Sequence, residues 1–134
     1  MSVRAARFRS NSAAEQVACD EALIRMAADG LHEEPVLRFY ELPDPAVVLG
    51  LSTECGGAVV LERCRERGVP VVRRRSGGGA VVLGPGCLVY SLLLDARKNP
   101  ELRSVRGSYR WILGRLSEQF RAEGLPVSRA GLSD

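Results

Sequence analysis

Residues 71–94 read VVRRRSGGGAVVLGPGCLVYSLLL, and the rest of the chain is best read outward from them. An apolar pair runs into Arg73, Arg74 and Arg75, then Ser76 and three consecutive glycines. A second apolar run (80–83), a Gly84-Pro85-Gly86 turn and a third apolar run to Leu94 follow. Three glycines in a row weaken any strand, so a fold that keeps them needs a reason, and close approach of backbone to a ligand is one. Arginine just before them supplies fixed, bidentate positive charge for a phosphate or carboxylate. The stretch therefore reads as a glycine-lined wall between strands, facing an anionic small molecule.

Two glycine motifs are excluded. The spacing from Gly79 to Gly84 suits a P-loop, but Pro85 and Gly86 stand where lysine and a hydroxyl are required. A dinucleotide fingerprint beginning at Gly77 would need glycine where Val82 stands, at the start of a helix rather than in a β-like run. What RRRSGGGAV at 73–81 does resemble, with Gly86 and Ser91 after it, is the signature of the lipoate–protein ligase A family, within the biotin/lipoate ligase and octanoyltransferase superfamily. ACDEAL at 18–23 is similar to that family's first helix, and PVLRFY at 35–40 with PAVVLG at 45–50 is similar to its first hairpin.

Local patterning is consistent with an α/β chain. Asn11 or Ser12 can cap a helix running to about Asp29, closed by Gly30. Ala14, Val17, Glu21, Ile24 and Ala28 share one face at spacings of three and four, with Glu21 at the wet edge of the stripe or, alternatively, against a pocket. Residues 3–8 suggest a short edge strand. Residues 36–41 and 46–50 read as two strands joined across Pro43 and Pro45. A helix is expected over 57–67, with Leu61 and Cys64 inward and Gly68 at its end. The runs at 69–73, 80–83 and 87–94 are continuous rather than alternating, which suggests strands covered on both faces. Residues 95–104 read as loop or a frayed helix start. A helix then runs to about Glu123, with Val105, Tyr109, Ile112, Leu113, Leu116 and Phe120 in one stripe and Trp111 off it. Gly124 closes it, and Pro126-Val127-Ser128 begins a further strand.

Composition narrows the class. The chain has 134 residues, 46% hydrophobic and 26% charged, with a net charge of +3. That is one ordinary globular domain or part of one. The charge is too mild, and the docking motifs too absent, to indicate nucleic acid. No apolar run approaches a membrane span, no signal peptide is evident, and the cysteines (Cys19, Cys55, Cys64, Cys87) lack metal or secreted-framework spacing. A cytoplasmic protein with reduced, buried thiols is expected, without nucleic-acid or membrane partners.

The resemblance implies more. The fold is a biotin/lipoate ligase-type catalytic domain with a mixed central sheet flanked by helices, and residues 1–134 form its N-terminal portion. ATP, with Mg²⁺, activates lipoate as an acyl-adenylate, and the acyl group passes to a lysine of a lipoyl carrier domain, as in 2-oxoacid dehydrogenase complexes or the glycine cleavage H protein. Arg74 matches the nucleotide-facing arginine; Ser76, Gly77 and Gly78 shape the turn; Gly79, Ala80, Val81 and Val82 form the backbone contact strip. Leu83, Cys87 and Glu21 are candidate pocket residues, and Arg73 and Arg75 are expected to be solvated neighbours, Arg75 above all.

Three departures qualify the match. Val82, Leu83 and Gly84 stand where many ligases carry an aromatic and then His-Asp, a pattern closer to the cysteine-dependent acyltransferase relatives. Cys87 stands where asparagine is frequent, and a thiol there invites a nucleophile reading; the transferases' cysteine lies further down the chain and His32, the one histidine, is remote in sequence, so a buried structural thiol is the ordinary reading. The family's catalytic lysine belongs to a K-x-S/A-G segment expected after Asp134, and Lys98, the single lysine here, lies in a loop. The resemblance thus implies a chain that holds much of the ATP and acyl pocket but no catalytic residue, inactive or nearly so alone. Its alternatives are an octanoyl or lipoyl acyltransferase using a downstream cysteine without ATP, and a non-catalytic lipoyl-binding module or one subunit of a ligase completed by a second polypeptide.

Overall fold

The computed structural model describes residues 4–6 and 8–131. These fall into two compact units, Met1–Leu93 and Leu94–Asp134.

The first unit opens with β1 (Arg4–Ala6) and α1 (Ala13–Ala28). Ser12 caps α1 by accepting from the Glu15 amide, and Gly30, at φ 72°, turns the chain out of it. Next come β2 (Val36–Tyr40) and β3 (Ala46–Leu49), the short helices α2 (Cys55–Ala58) and α3 (Leu61–Glu66), then β4 (Val71–Arg73), β5 (Val81–Leu83) and β6 (Val89–Leu93). They make two three-stranded sheets. In one, β2 is central, parallel to β1 and antiparallel to β6, with Arg38 opposite Ser91. In the other, β3 is central, parallel to β4 and antiparallel to β5, with Val48 between Val72 and Val81.

Every residue of β3 is buried, which explains its unbroken Ala-Val-Val-Leu sequence. Each fully buried Val or Leu there contributes about 1.5–3 kcal/mol through area removed from water. Ala13, Leu42 and Ala46 form the centre of the core, with Tyr40, Val72 and Leu83 packed against them.

Several expectations are corrected. The strands at 36–41 and 46–50 exist but do not pair: the proline-bearing link hands the chain from one sheet to the other. The helix expected over 57–67 is two pieces, because Val59 and Val60 are non-helical between α2 and α3. Coverage on both faces holds for β3 and not for the later runs; Val82 is 68% exposed and Tyr90 44%. The inward face of α1 carries Ala13, Gln16 and Val17, whereas Ala14, Ile24 and Ala28 are exposed. The stripe at 14, 17, 21, 24 and 28 is thus rotated from the true inner face, which includes a glutamine that hydropathy counts as polar.

The second unit holds a 3₁₀ turn (Pro100–Arg103) and α4 (Val105–Ala122), capped by Ser104 accepting from the Gly107 amide. The α4 stripe is half open: Ile112, Leu113 and Leu116 are partly buried, while Val105, Tyr109 and Phe120 are exposed. Trp111, off the stripe as read, lies under the Arg115 guanidinium at 4.4 Å. Gly124 has φ 81°, ending the helix. Residues 126–128 are irregular, not a strand. Residues 3, 7 and 132–134 of the readings above lie outside the described residues.

Candidate functional site

The site grows from the end of β3. Ser76, Gly77, Gly78 and Gly79 turn their carbonyls onto the protein. The Ser76 carbonyl accepts from the Leu51 amide (2.9 Å), Gly79 from the Gly50 amide (3.1 Å), and Gly78 from the Thr53 hydroxyl (2.9 Å). Arg74 crosses beneath, donating through Nη2 to the Gly77 and Gly79 carbonyls (2.8 and 3.2 Å) and through Nη1 to Val48 (3.4 Å). Arg73 spends one nitrogen on the carbonyls of Gly50, Leu51 and Thr53 at 2.7–3.1 Å. Among the described residues the amides of Gly77, Gly78, Gly79 and Ala80 have no protein acceptor. A loop with its carbonyls tied down and its amides unspent is suited to an anion.

Only some of the glycines are required by the fold. A Cβ on Gly50 would stand 1.8 Å from the Gly78 carbonyl oxygen, and Gly78 itself has φ 92°. Gly77 and Gly79 have ordinary backbone angles and nothing within 4 Å of a built Cβ. Their bareness leaves room for a visitor, not for a neighbour.

Beside this loop lies a cleft of about 620 Å³. Its walls are Val17, Leu23, Ile24, Val36, Val48, Val81, Leu83, Val89, Leu92 and Leu93, with Tyr40 and Tyr90; Arg74, Arg75, Ser76, Asp20 and Ser91 supply its polar groups. Apolar bulk with a few convergent polar groups is the usual form of a small-molecule pocket.

A buried polar network joins α1, β2 and β6 under the cleft. Arg38 is 1% exposed. Its Nη1 pairs with the Asp20 carboxylate and its Nη2 donates to Gln16 Oε1 (2.5 Å). The Ser91 hydroxyl donates to the other Asp20 oxygen (2.7 Å), and Gln16 Nε2 to the Ser10 carbonyl (2.8 Å). Tyr40 lies 5.2 Å from the Arg38 guanidinium, ring to cation. Burial raises its phenol above 10.0 and the Asp20 carboxylate adds to the rise; Arg38 and Arg74 oppose it.

Of the residues singled out in the sequence, Arg74, Ser76, Val81 and Leu83 line the cleft. Gly77, Gly78, Gly79 and Ala80 form the loop at its side, and Val82, next to Val81 in β5, is not a lining residue. Arg73 is exposed, as expected of a solvated neighbour, and also clamps the end of β3 through the Gly50, Leu51 and Thr53 carbonyls. Arg75 is exposed yet lines the cleft, 3.8 Å from Glu21. Glu21 pairs with Arg25 at 2.7 Å and stays outside the lining, as its edge position suggests. Cys87 is exposed, against the expectation of a buried thiol, and is not a lining residue of the cleft. Sequence reasoning missed Gln16, Asp20 and Arg38. Their signal was present as three polar residues inside two otherwise apolar-faced elements. Among the described residues no group of three His, Cys, Asp or Glu could hold a metal ion, and no helix is long and apolar enough to cross a membrane.

Two mixed sheets with helices, a carbonyl-anchored glycine loop and an apolar cleft define a catalytic domain of the lipoate ligase type. The chain belongs to the lipoyl protein ligase A/B catalytic domain family, which it matches over residues 12–134. It is 44% identical over 73 residues to the octanoyltransferase LipM of Carboxydothermus hydrogenoformans, covering 54% of this chain and 27% of that protein. With LipM of an Exiguobacterium species it shares 32% identity over 121 residues, 90% of this chain and 43% of that one. The bi-partite lipoate protein ligase of Thermoplasma acidophilum, studied with its E2 lipoyl domain, superposes with a TM-score of 0.78 at 24% identity, covering 98% and 49% of the two chains. This last likeness is one of fold. The chain spans less than half the length of each of these three relatives.

Proposed function

We propose that this chain supplies the acyl pocket and the nucleotide-facing wall of a lipoate–protein ligase, which activates lipoate with ATP and attaches it to a lysine of lipoyl carrier domains. The observation that carries the reading is the junction of two environments in one cleft. Apolar walls from α1, β5 and β6 suit a medium-length acyl chain. At its polar end, Arg75 and Ser76 meet a loop whose amides await an acceptor, which suits a carboxylate and the phosphate that activates it. Removing water from such a site strengthens each of those hydrogen bonds. In this reading Arg74 acts chiefly by holding the loop, Gly79 to Val81 offer backbone to the nucleotide, and Arg75 is the exposed cation at the cleft's polar end. ATP is a substrate that supplies the adenylyl group.

A second reading, acyl transfer between carriers without ATP, is favoured by the names of the curated relatives and by the Val82-Leu83-Gly84 sequence. Both use the same acyl cleft, and they part on the nucleotide. The test is lipoate-dependent exchange of labelled pyrophosphate into ATP by the intact protein, beside octanoyl transfer from a carrier thioester in the absence of ATP. Exchange supports the ligase. Transfer without ATP, and no exchange, replaces it with the transferase.

A further inference from the structure

The second unit carries a concentration of positive charge that the proposed chemistry does not use. A cavity of about 250 Å³ is lined by Arg106, Arg110, Arg129 and Gly131. Among the described residues none of these three arginines is paired with a carboxylate, in contrast to Arg25, Arg38, Arg75 and Arg97.

The placement runs against the ordinary preferences of a helix. Arg106 is the second residue of α4, whose first turn contains no acid. A helix N-terminus carries partial positive charge and favours anions, so a cation there is unfavourable. Arg110 follows at i+4 on the same face, where like charges repel. Arg129 is brought to them by a pinned return of the chain. The Leu125 amide donates to the Phe120 carbonyl (2.9 Å), Val127 to Leu125 (2.9 Å), and Arg121 Nε to the Val127 carbonyl (2.9 Å). Three guanidinium groups are thus gathered around a concavity, at the end of a helix that already favours negative charge.

We propose that Arg106, Arg110 and Arg129 form a binding site for a phosphate-bearing small molecule. Guanidinium forks bind phosphate oxygens bidentately, and three of them can satisfy a dianion that a single surface arginine would leave hydrated. The volume falls below the roughly 300–1,000 Å³ of apolar ligand pockets, which suits a compact, highly charged group. The bound anion relieves both the mutual repulsion of the arginines and the unfavourable start of α4.

The test uses inorganic pyrophosphate as the probe, titrated calorimetrically into the intact protein at ionic strength held constant with sodium chloride. Wild type is compared with Arg110→Ala, the double variant Arg106→Ala/Arg110→Ala, Arg110→Lys, and Arg103→Ala, a control for surface charge outside the cavity. Beyond any binding at the glycine loop, a saturable component is expected that is weakened about tenfold or more by Arg110→Ala, lost in the double variant, partly kept by Arg110→Lys and unchanged in the control. Pyrophosphate should raise the Tm of wild type more than that of the double variant, while the double variant without ligand melts no lower than wild type. A merely structural role would instead lower that unliganded Tm. The proposal is overturned by an absence of saturable binding, or by a loss in the control as large as in Arg110→Ala. It is equally overturned if the variants bind pyrophosphate normally but fail to act on an acidic carrier protein, which would make the arginines a protein-docking surface.

Discussion

At the scale of single residues, the glycine loop separates what the fold needs from what a ligand needs. Gly50→Ala would drive a methyl into the Gly78 carbonyl oxygen, 1.8 Å away, and backbone cannot swing aside as a long side chain can. Overpacking of this kind costs roughly 1–3 kcal/mol, visible as a lower urea midpoint at unchanged slope, and acyl binding should fall with it. Gly79→Ala is the complementary experiment, because its Cβ meets open space. Stability should stay within about 0.5 kcal/mol of wild type while the kcat/KM of the intact protein falls at least about tenfold, a split that a purely structural glycine would not give. Arg38 makes a different point. Its truncation to Ala takes the donor from buried Gln16 Oε1 and leaves Asp20, 29% exposed at the cleft, with Ser91 as its partner, so the cost should fall below the roughly 3–5 kcal/mol of a fully buried pair. Lysine should rescue little, since one ammonium cannot reproduce a fork reaching Asp20 and Gln16 together. Equal stability of Arg38→Ala and wild type in urea would refute this account of the network. None of this was legible residue by residue. RRRSGGGAV announced a loop, but which arginine clamps and which reaches down depends on the backbone of residues 50–53, some twenty positions earlier.

At the scale of elements, helices were easier to read than strand partners. The start of α1 at Ser12, its exit at Gly30 and the span of α4 follow from local chemistry: hydroxyls that cap and glycines that take positive φ. Pairing is not local. Nothing between Tyr40 and Ala46 says that β2 and β3 part company, because two prolines make a tight link whether the next strand folds back or crosses to another sheet. Helix α4 offers a paired test of reading an element from propensity alone. Gly107 lies in its first turn and Gly114 in its interior, where alanine is ordinarily better than glycine by about 0.8–1.0 kcal/mol. A Cβ on Gly114 meets nothing within 4 Å, so Gly114→Ala should gain roughly that amount. A Cβ on Gly107 would lie 2.2 Å from the Glu101 carbonyl oxygen and 2.8 Å from the Ser104 hydroxyl. Gly107→Ala must therefore push apart the 3₁₀ turn and the cap, and should lower stability. Opposite signs by thermal denaturation are the expected outcome; a gain at both positions would mean that the turn preceding α4 contributes nothing.

At the scale of the molecule, the family and fold were within reach of the sequence because the glycine motif, the first helix and the β2 sequence occur in one order. The meeting of core and cleft was not, since it depends on two sheets whose pairing no local pattern encodes. Tyr40 stands at that meeting. It packs on Ala13, Leu42 and Ala46, lines the cleft, and faces Arg38. Its phenol is raised above 10.0, first by burial and then by Asp20. The folded protein therefore holds this proton more tightly than the unfolded chain does. Stability from the group is complete below about pH 10 and is lost as pH rises from there through the folded-state value, because the unfolded chain ionises first. Replacing Tyr40 with Phe removes that proton, so the alkaline fall in urea midpoint should be shallower in Tyr40→Phe than in wild type. Acyl binding should decline on the same limb in wild type alone, since a phenolate beside Asp20 would place a second anion against the apolar wall. An identical alkaline slope in both proteins would assign the titration elsewhere and uncouple the cleft from the core.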